Sequence, residues 1–133
     1  MLLANKNTVD KFMLDNWHST PISFDLENFT IPANKKWVSV RLTQEYRELI
    51  GLAPQHGRKM DTGNICIKVY DTSFTKSYLL AEEVINLLEC VTMLNSDGSQ
   101  LLVGIGIPDG SGYEDVGNGI FRTTINFIVK KYN

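Results

Sequence analysis

The chain has 133 residues, of which 43% are hydrophobic and 21% are charged, and its formal net charge is −2. These values fit a single domain over residues 1–133, with one core that needs no disulfide or metal to fold. No segment approaches the roughly 20 apolar residues of a membrane span, and the apolar run after Met1 is too short for a signal peptide. We therefore expect a protein made in the cytoplasm, without a membrane partner.

Charge is distributed unevenly along the sequence. Between Ser77 and Phe121 there is no Lys or Arg, but seven of the 15 acidic residues lie there. Eight of the 13 basic residues lie between Lys35 and Lys76. A solvated acidic helix face and an acidic loop explain this pattern. An alternative is a head-to-tail contact between identical subunits, in which a basic patch on one copy meets an acidic patch on the next.

The N-terminal half is predicted to form a helix followed by strands. Apolar residues at helical spacing predict an amphipathic helix that ends before His18. Because Pro21 favours an extended chain, Ile22–Phe24 is predicted as a short strand of the kind found at a sheet edge. Alternating apolar residues predict further strands at 37–43 and 64–71. The helix side that we expect to be buried carries Leu2, Val9, Phe12, Met13, Asn16 and Trp17.

The C-terminal half is predicted to form a helix followed by two strands. The helix covers 74–91, with Leu80, Val84, Leu87, Leu88 and Val91 on one stripe. A turn at 95–99 precedes a strand in which Leu101, Val103, Ile105 and Ile107 alternate with smaller residues. In the last strand, 120–129, one side carries Phe121, Thr123, Ile125, Phe127 and Val129.

These elements predict an α+β fold. We expect a mainly antiparallel four- or five-stranded sheet with two helices packed on one face. The segment 44–63 is long for a hairpin turn and contains Gly51, Pro54, Gly57 and Gly63, so it is predicted to be a functional or mobile loop.

The sequence contains no convincing catalytic or ligand-binding motif. His18 and His56 have no recognisable catalytic context, and Cys66 and Cys90 are predicted to be buried thiols rather than a disulfide. Asp109, Glu114 and Asp115 offer hard oxygen ligands, but their spacing does not match a calcium loop. The pI of about 5.6 argues against a dedicated nucleic-acid binder. We therefore expect no enzymatic activity, no cofactor, no metal and no sequence-specific nucleic-acid partner.

Several segments, in this order and spacing, resemble the tail terminator (tail completion) proteins of long-tailed bacteriophages, the minor tail protein U-like family. They are Pro21-Ile22-Ser23-Phe24-Asp25, the strand that starts Trp37-Val38, Arg58 ahead of Gly63 and an alternating strand, and the helix from Leu80 to Leu88. The resemblance covers most of the chain. It implies an α+β domain that assembles as a hexameric ring on the last ring of tail tube protein, ends tube polymerisation and forms the joint to the head connector or stopper protein.

The resemblance implies a virion protein whose functional residues are contact residues, and we predict two contact segments. The first is 47–62, which would touch the tube or a neighbouring subunit; the second is the acidic loop 109–115. The predicted residues are Arg47, Leu49, Ile50, Gln55, Arg58 and Lys59 in the first segment and Asp109, Glu114 and Asp115 in the second.

Three alternatives stay open at this stage. Both segments could be mobile surface loops without a partner. The chain could be another neck component, such as a stopper or head-completion protein. It could also be a small ligand-binding or catalytic α+β domain, which would show a deep pocket with convergent polar groups.

Overall fold

The computed structural model describes residues 2–24, 29–49, 59–108 and 114–132, in which the chain forms two helices and seven strands. None of the described helices is long and apolar enough to cross a membrane. The strands form one sheet in the order β1-β2-β3-β7-β5-β4, and β6 pairs with β7. The elements are α1 (Leu2–Asn16), β1 (Ile22–Phe24), β2 (Trp37–Leu49), β3 (Lys59–Asp71), α2 (Phe74–Leu88), β4 (Thr92–Leu94), β5 (Gln100–Pro108), β6 (Glu114–Gly117) and β7 (Ile120–Tyr132).

The predicted α+β class is confirmed, but the described sheet has more strands than the four or five predicted. The edge strand β1 runs parallel to β2, whereas the other described pairs are antiparallel. The additional strands are β4 and β6, which have three and four residues. Such short strands carry too few alternations to give a sequence pattern, so only their partners reveal them.

The predicted loop 44–63 is wrong at both ends, because β2 and β3 extend into it. Arg47 pairs with Asp61 and Leu49 pairs with Lys59 across the two strands. A bulge between Thr43 and Tyr46 shifts the register. The side-chain period changes at this bulge, and the following residues are mostly polar, so the sequence does not show the continuation of the strand.

Both helices pack on the same face of the sheet, as predicted, and their apolar residues form one core cluster with it. Helix α1 contacts β2 and β4, whereas α2 contacts β3, β5 and β7. Ser73 caps α2, since its Oγ accepts a hydrogen bond from the Lys76 backbone N at 3.2 Å. The fully buried members of the cluster include Val9, Met13, Val38, Ile65, Ile67, Val69, Val84, Leu88, Ile125 and Phe127.

A buried amide pair fixes α1 against the turn between β4 and β5. Asn95 Nδ2 donates hydrogen bonds to Asn5 Oδ1 at 3.2 Å and to Ser99 Oγ at 3.0 Å, and Thr8 Oγ1 donates to Asn95 Oδ1. Asn5 and Asn95 are both almost completely buried. Buried amides are tolerated only when they are hydrogen-bonded, so this network specifies where the first helix docks.

A bulge in β5 changes which side chains face the core. Val103 pairs with Val129 and Gly106 pairs with Phe127, so β5 has one residue more than β7 in this interval. After the bulge Gly106 lies against the core. The prediction that Ile105 and Ile107 share a face with the buried Leu101 and Val103 is therefore wrong, since they are 64% and 58% exposed.

Glycine is required at position 106 because the Phe127 ring occupies the space that a side chain would take. A Cβ at this position would lie 2.5 Å from Phe127 Cε1 and 3.1 Å from Ile85 Cγ1. We expect Gly106→Ala to lower the free energy of unfolding by about 1 to 3 kcal/mol, the usual cost of overpacking. Urea unfolding of the monomer measures it.

The control is Ile105→Thr, which changes the adjacent exposed residue and should alter stability by less than about 0.5 kcal/mol. Equal stability of Gly106→Ala and the wild type would show that the Phe127 ring does not pack against this backbone.

Candidate assembly surface

The sheet face that is turned away from α1 and α2, here called the outer face, carries a cluster of exposed apolar side chains. Three strands contribute them: β4, β5 and β7. Those from β5 and β7 line a shallow depression of about 420 Å³, together with Gly104 and Lys130. This apolar patch consists of Leu94, Leu102, Ile105, Ile107 and Ile128. Contiguous exposed apolar residues on a small chain mark a contact surface.

The middle of the outer face is polar and internally hydrogen-bonded. Asn64 Nδ2 donates to Asn126 Oδ1 at 3.0 Å, and Thr43 Oγ1 donates to the Asn64 carbonyl oxygen at 3.3 Å. These bonds link β2, β3 and β7 side by side. The polar strip therefore stabilises the sheet itself and separates the apolar patch from the aromatic end of the outer face.

At the aromatic end, Trp37 and Tyr70 stack with ring centroids 4.1 Å apart and planes 5° from parallel. Phe29 lies beside Trp37, with centroids 6.0 Å apart. Arg122 follows Tyr70 in the next strand and forms an ion pair with Glu114 on β6. The hydrogen bond with Tyr70 raises the pKa of Arg122, and the bond with Glu114 adds to this, against the opposing effect of burial. The side chains at this end of the outer face therefore contact one another within the subunit.

The two sides of the subunit differ in charge. Among the side chains described on the outer face, Arg41, Lys68, Arg122 and Lys130 are basic, and the one acid, Glu114, is paired with Arg122. On the other side of the molecule, α2 exposes Glu82 and Glu83 to solvent, together with Lys76 in its first turn. The outer face is therefore mainly basic, whereas the helix side carries both signs.

The first predicted contact segment is a strand pair rather than a loop where it is described. Arg47 and Leu49 lie on β2 and Lys59 lies on β3. Ile50, Gln55 and Arg58 lie outside the described residues, so the structure neither supports nor contradicts their predicted role.

In the second predicted segment, Glu114 and Asp115 are strand residues, so the predicted loop is wrong for them. They pair with Arg122 and Phe121 of β7, and Asp115 Oδ1 accepts a hydrogen bond from the Gly117 N at 2.9 Å. Asp109 lies outside the described residues.

The two predicted segments lie at opposite ends of β7. Asp61 pairs with Lys131, whereas Glu114 pairs with Arg122. Nine residues of extended chain separate these positions, which places the segments roughly 30 Å apart. They do not form one site.

Other groups with reactive side chains are not assembled into a site in the described part of the chain. Cys66 is half-buried and Cys90 is exposed, and neither is in a disulfide, so the prediction of a buried thiol is wrong for Cys90. No cluster of three potential metal ligands is found among the described residues. An open groove of about 480 Å³ beside α2 is lined by groups of both signs, among them Lys36, Lys76 and Glu83.

The sequence does not reveal the apolar patch, because the isoleucines of β5 fit the pattern of core residues. One signal could have found it. Ile105 lies between Gly104 and Gly106, and glycines inside a strand pattern often mark a bulge.

Comparison with known proteins adds a fold likeness. No protein-family model and no curated protein matches this sequence. A chain of a solved virion of a native gene transfer agent particle has the same fold, with a TM-score of 0.63 and 13% identity over 96% of this chain and 94% of that chain. A second solved structure, which carries no functional name, gives a TM-score of 0.64 and 14% identity over 98% of this chain and 92% of that chain. At these identities the likeness establishes a shared fold.

The ion pair between Glu114 and Arg122 should be a modest support for β6. We expect a coupling energy below about 1 kcal/mol in a double-mutant cycle with Glu114→Gln and Arg122→Gln, because Glu114 is about half exposed and exposed pairs are weak. Urea unfolding of the four proteins gives the value, which should decrease further at high salt.

A coupling well above this range would mean that the pair fixes β6 in place. In that case substitutions of Glu114 would act through the fold, and they could not be used to test a contact with another protein.

Proposed function

We propose that the protein is a structural component of a phage or phage-like virion, and specifically a tail terminator. The observation that carries the proposal is the likeness in fold, over nearly the whole of both chains, to a chain of a gene transfer agent virion. The resemblance of the sequence segments to tail terminators supports the finer assignment. The apolar patch supports a role in contacts between proteins.

The proposed mechanism is surface complementarity. A ring of identical subunits, proposed to be a hexamer, would occupy the growing end of the tail tube, and its opposite side would lack the surface that accepts another tube subunit. That side would instead present the joint for the connector or stopper protein. In this proposal the protein acts without a catalytic residue or a cofactor, and it is located in the virion at the junction between head and tail.

Opposite ends of each subunit are available for the two partners. The β2–β3 arm carries Arg47 and Lys59 at one end of β7, and β6 lies at the other end. We assign the arm to the tube or to a neighbouring subunit, and the acidic segment to another contact. Weak contacts of this kind become cooperative when the tube end acts as a template.

The test is the solution mass of the protein, measured by light scattering over a range of concentrations and salt, with and without purified tail tubes of the encoding phage. We expect a ring-sized species, or a monomer that becomes one only when tubes are added. In the phage, a stop codon in the gene should give tubes of uncontrolled length that do not join heads.

A monomer that ignores tubes, together with tails of normal length in the stop-codon phage, would overturn the proposal. Tails of normal length that fail to join heads would instead indicate a stopper or head-completion protein. These two readouts separate the tail terminator from the other neck component.

The segment that connects β2 and β3 provides a more local prediction. We expect Arg58→Glu to weaken ring formation or tube binding by about tenfold or more while the monomer stays folded, because it reverses a charge in the assigned contact. Circular dichroism checks the fold, and light scattering with tubes checks the assembly. Lys11→Glu, an equal charge reversal on the exposed side of α1, is the control.

If Arg58→Glu and Lys11→Glu assemble equally well with tubes, then Arg58 is not a contact residue. The proposal that the protein forms a ring would still stand after that result.

A further inference from the structure

We infer that the apolar patch on the outer face receives the exposed surface of helix α2 from a second copy of this chain, so that subunits join head to tail. This inference rests on the proposed function, and it specifies which surfaces form the ring contact. Its residues are not among the contact residues predicted from the sequence. Only the general expectation of a basic patch against an acidic one is shared with that prediction.

The sheet side of the contact is apolar with a basic border. Leu102, Ile105, Ile107 and Ile128 line the depression of about 420 Å³, and Lys130 is exposed on its rim. None of these four apolar side chains belongs to the core cluster of the subunit. They therefore contribute nothing to the core of the isolated subunit.

The helix side is the complement, apolar with an acidic border. Tyr78 and Leu79 are 43% and 55% exposed on α2. Glu82 and Glu83 lie one turn further along the helix, and Asn86 follows at the same spacing, so these residues share the side that faces away from the core. Lys76 is also exposed on α2 and lies one turn before Leu79, so this surface carries two exposed acids and one exposed base and has a net negative charge.

Charge decides which surface meets the patch. If two apolar patches packed against each other, the Lys130 side chains on their borders would be brought together, and such like-charge contacts are disfavoured. The acidic surface of α2 removes this repulsion and also supplies the apolar residues. Since the patch and the α2 surface lie on opposite sides of the subunit, each copy can use both at once, which is a heterologous contact.

Two matched substitutions test the contact. Ile107→Asp places a charge in the patch, and Leu79→Asp places one on α2. Leu14→Asp on α1 is the control, because these three side chains are similarly exposed, at 58%, 55% and 58%. We expect both contact variants to weaken self-association by about tenfold or more. The control should assemble like the wild type, and all three should remain folded by circular dichroism.

Mixing the two variants identifies the geometry. The Ile107→Asp chain keeps its α2 surface and the Leu79→Asp chain keeps its patch, so one intact junction forms between them. We expect light scattering of an equal mixture to give a dimer and nothing larger. Self-association of the Leu79→Asp chain alone would show that the patch meets another patch, and this would overturn the inference.

Charge reversal provides an independent test. We expect Glu82→Lys with Glu83→Lys to weaken association, and Lys130→Glu introduced into the same chain to restore it at least partly. If the second charge reversal does not restore association, and the Leu79→Asp chain associates as strongly as the wild type, the inference is overturned.

The outcomes for the inference and for the proposed function are separable. Rings that persist in both contact variants would overturn the contact and leave a ring-forming protein. If the wild-type chain assembles only on tubes, the same variants are compared on tubes, and wild-type assembly of both contact variants there would overturn the contact while the terminator function stands. Normal tails in the stop-codon phage would instead remove the proposed function.

Discussion

The packing of the Phe127 ring over Gly106 is the constraint on which the character of both sheet faces depends. Among the described residues Phe127 is the largest fully buried side chain, and its ring fills the space beside β5 that a Cβ at position 106 would need. Because β5 has one extra residue before Gly106, the core accepts the glycine, and Ile105 and Ile107 turn to the outer face. The packing of Phe127 over Gly106 therefore also produces the apolar patch, whose side chains stay exposed in the isolated subunit.

The sequence predicts those elements in which burial follows one period throughout. Ile65, Ile67 and Val69 of β3 alternate without interruption and are completely buried, and α2 carries its apolar stripe as expected. Prediction fails where a bulge changes the period, as in β2 after Thr43 and in β5 after Val103. It also fails for β4 and β6, because strands this short are defined by their hydrogen-bonded partners and carry little signal of their own.

Much less of the candidate surface could be predicted than of the fold. The segregation of charge is visible in the sequence, but its arrangement on two sides of the subunit depends on which strand residues point outward. Glu114 illustrates the difficulty, since the sequence presents it as a free acid and the structure pairs it with Arg122 of β7. Ile107 illustrates the reverse case. It fits the alternation of core residues along β5, but the bulge after Val103 turns it to the exposed face.

Charge and exposed apolar side chains favour assembly of the subunit through the faces of its sheet. The short terminal strands do not close the edges, because β1 pairs only with Val38–Val40 of β2, which extends to Leu49. The basic character of the outer face opposes pairing of two such faces, and the acidic surface of α2 lies on the other side of the helix layer. In the inferred contact the subunit has a direction, because the basic border of the patch on one copy meets the acidic residues of α2 on the next. Directional contacts of this type form either rings or filaments, and the angle between the two sides determines whether they close.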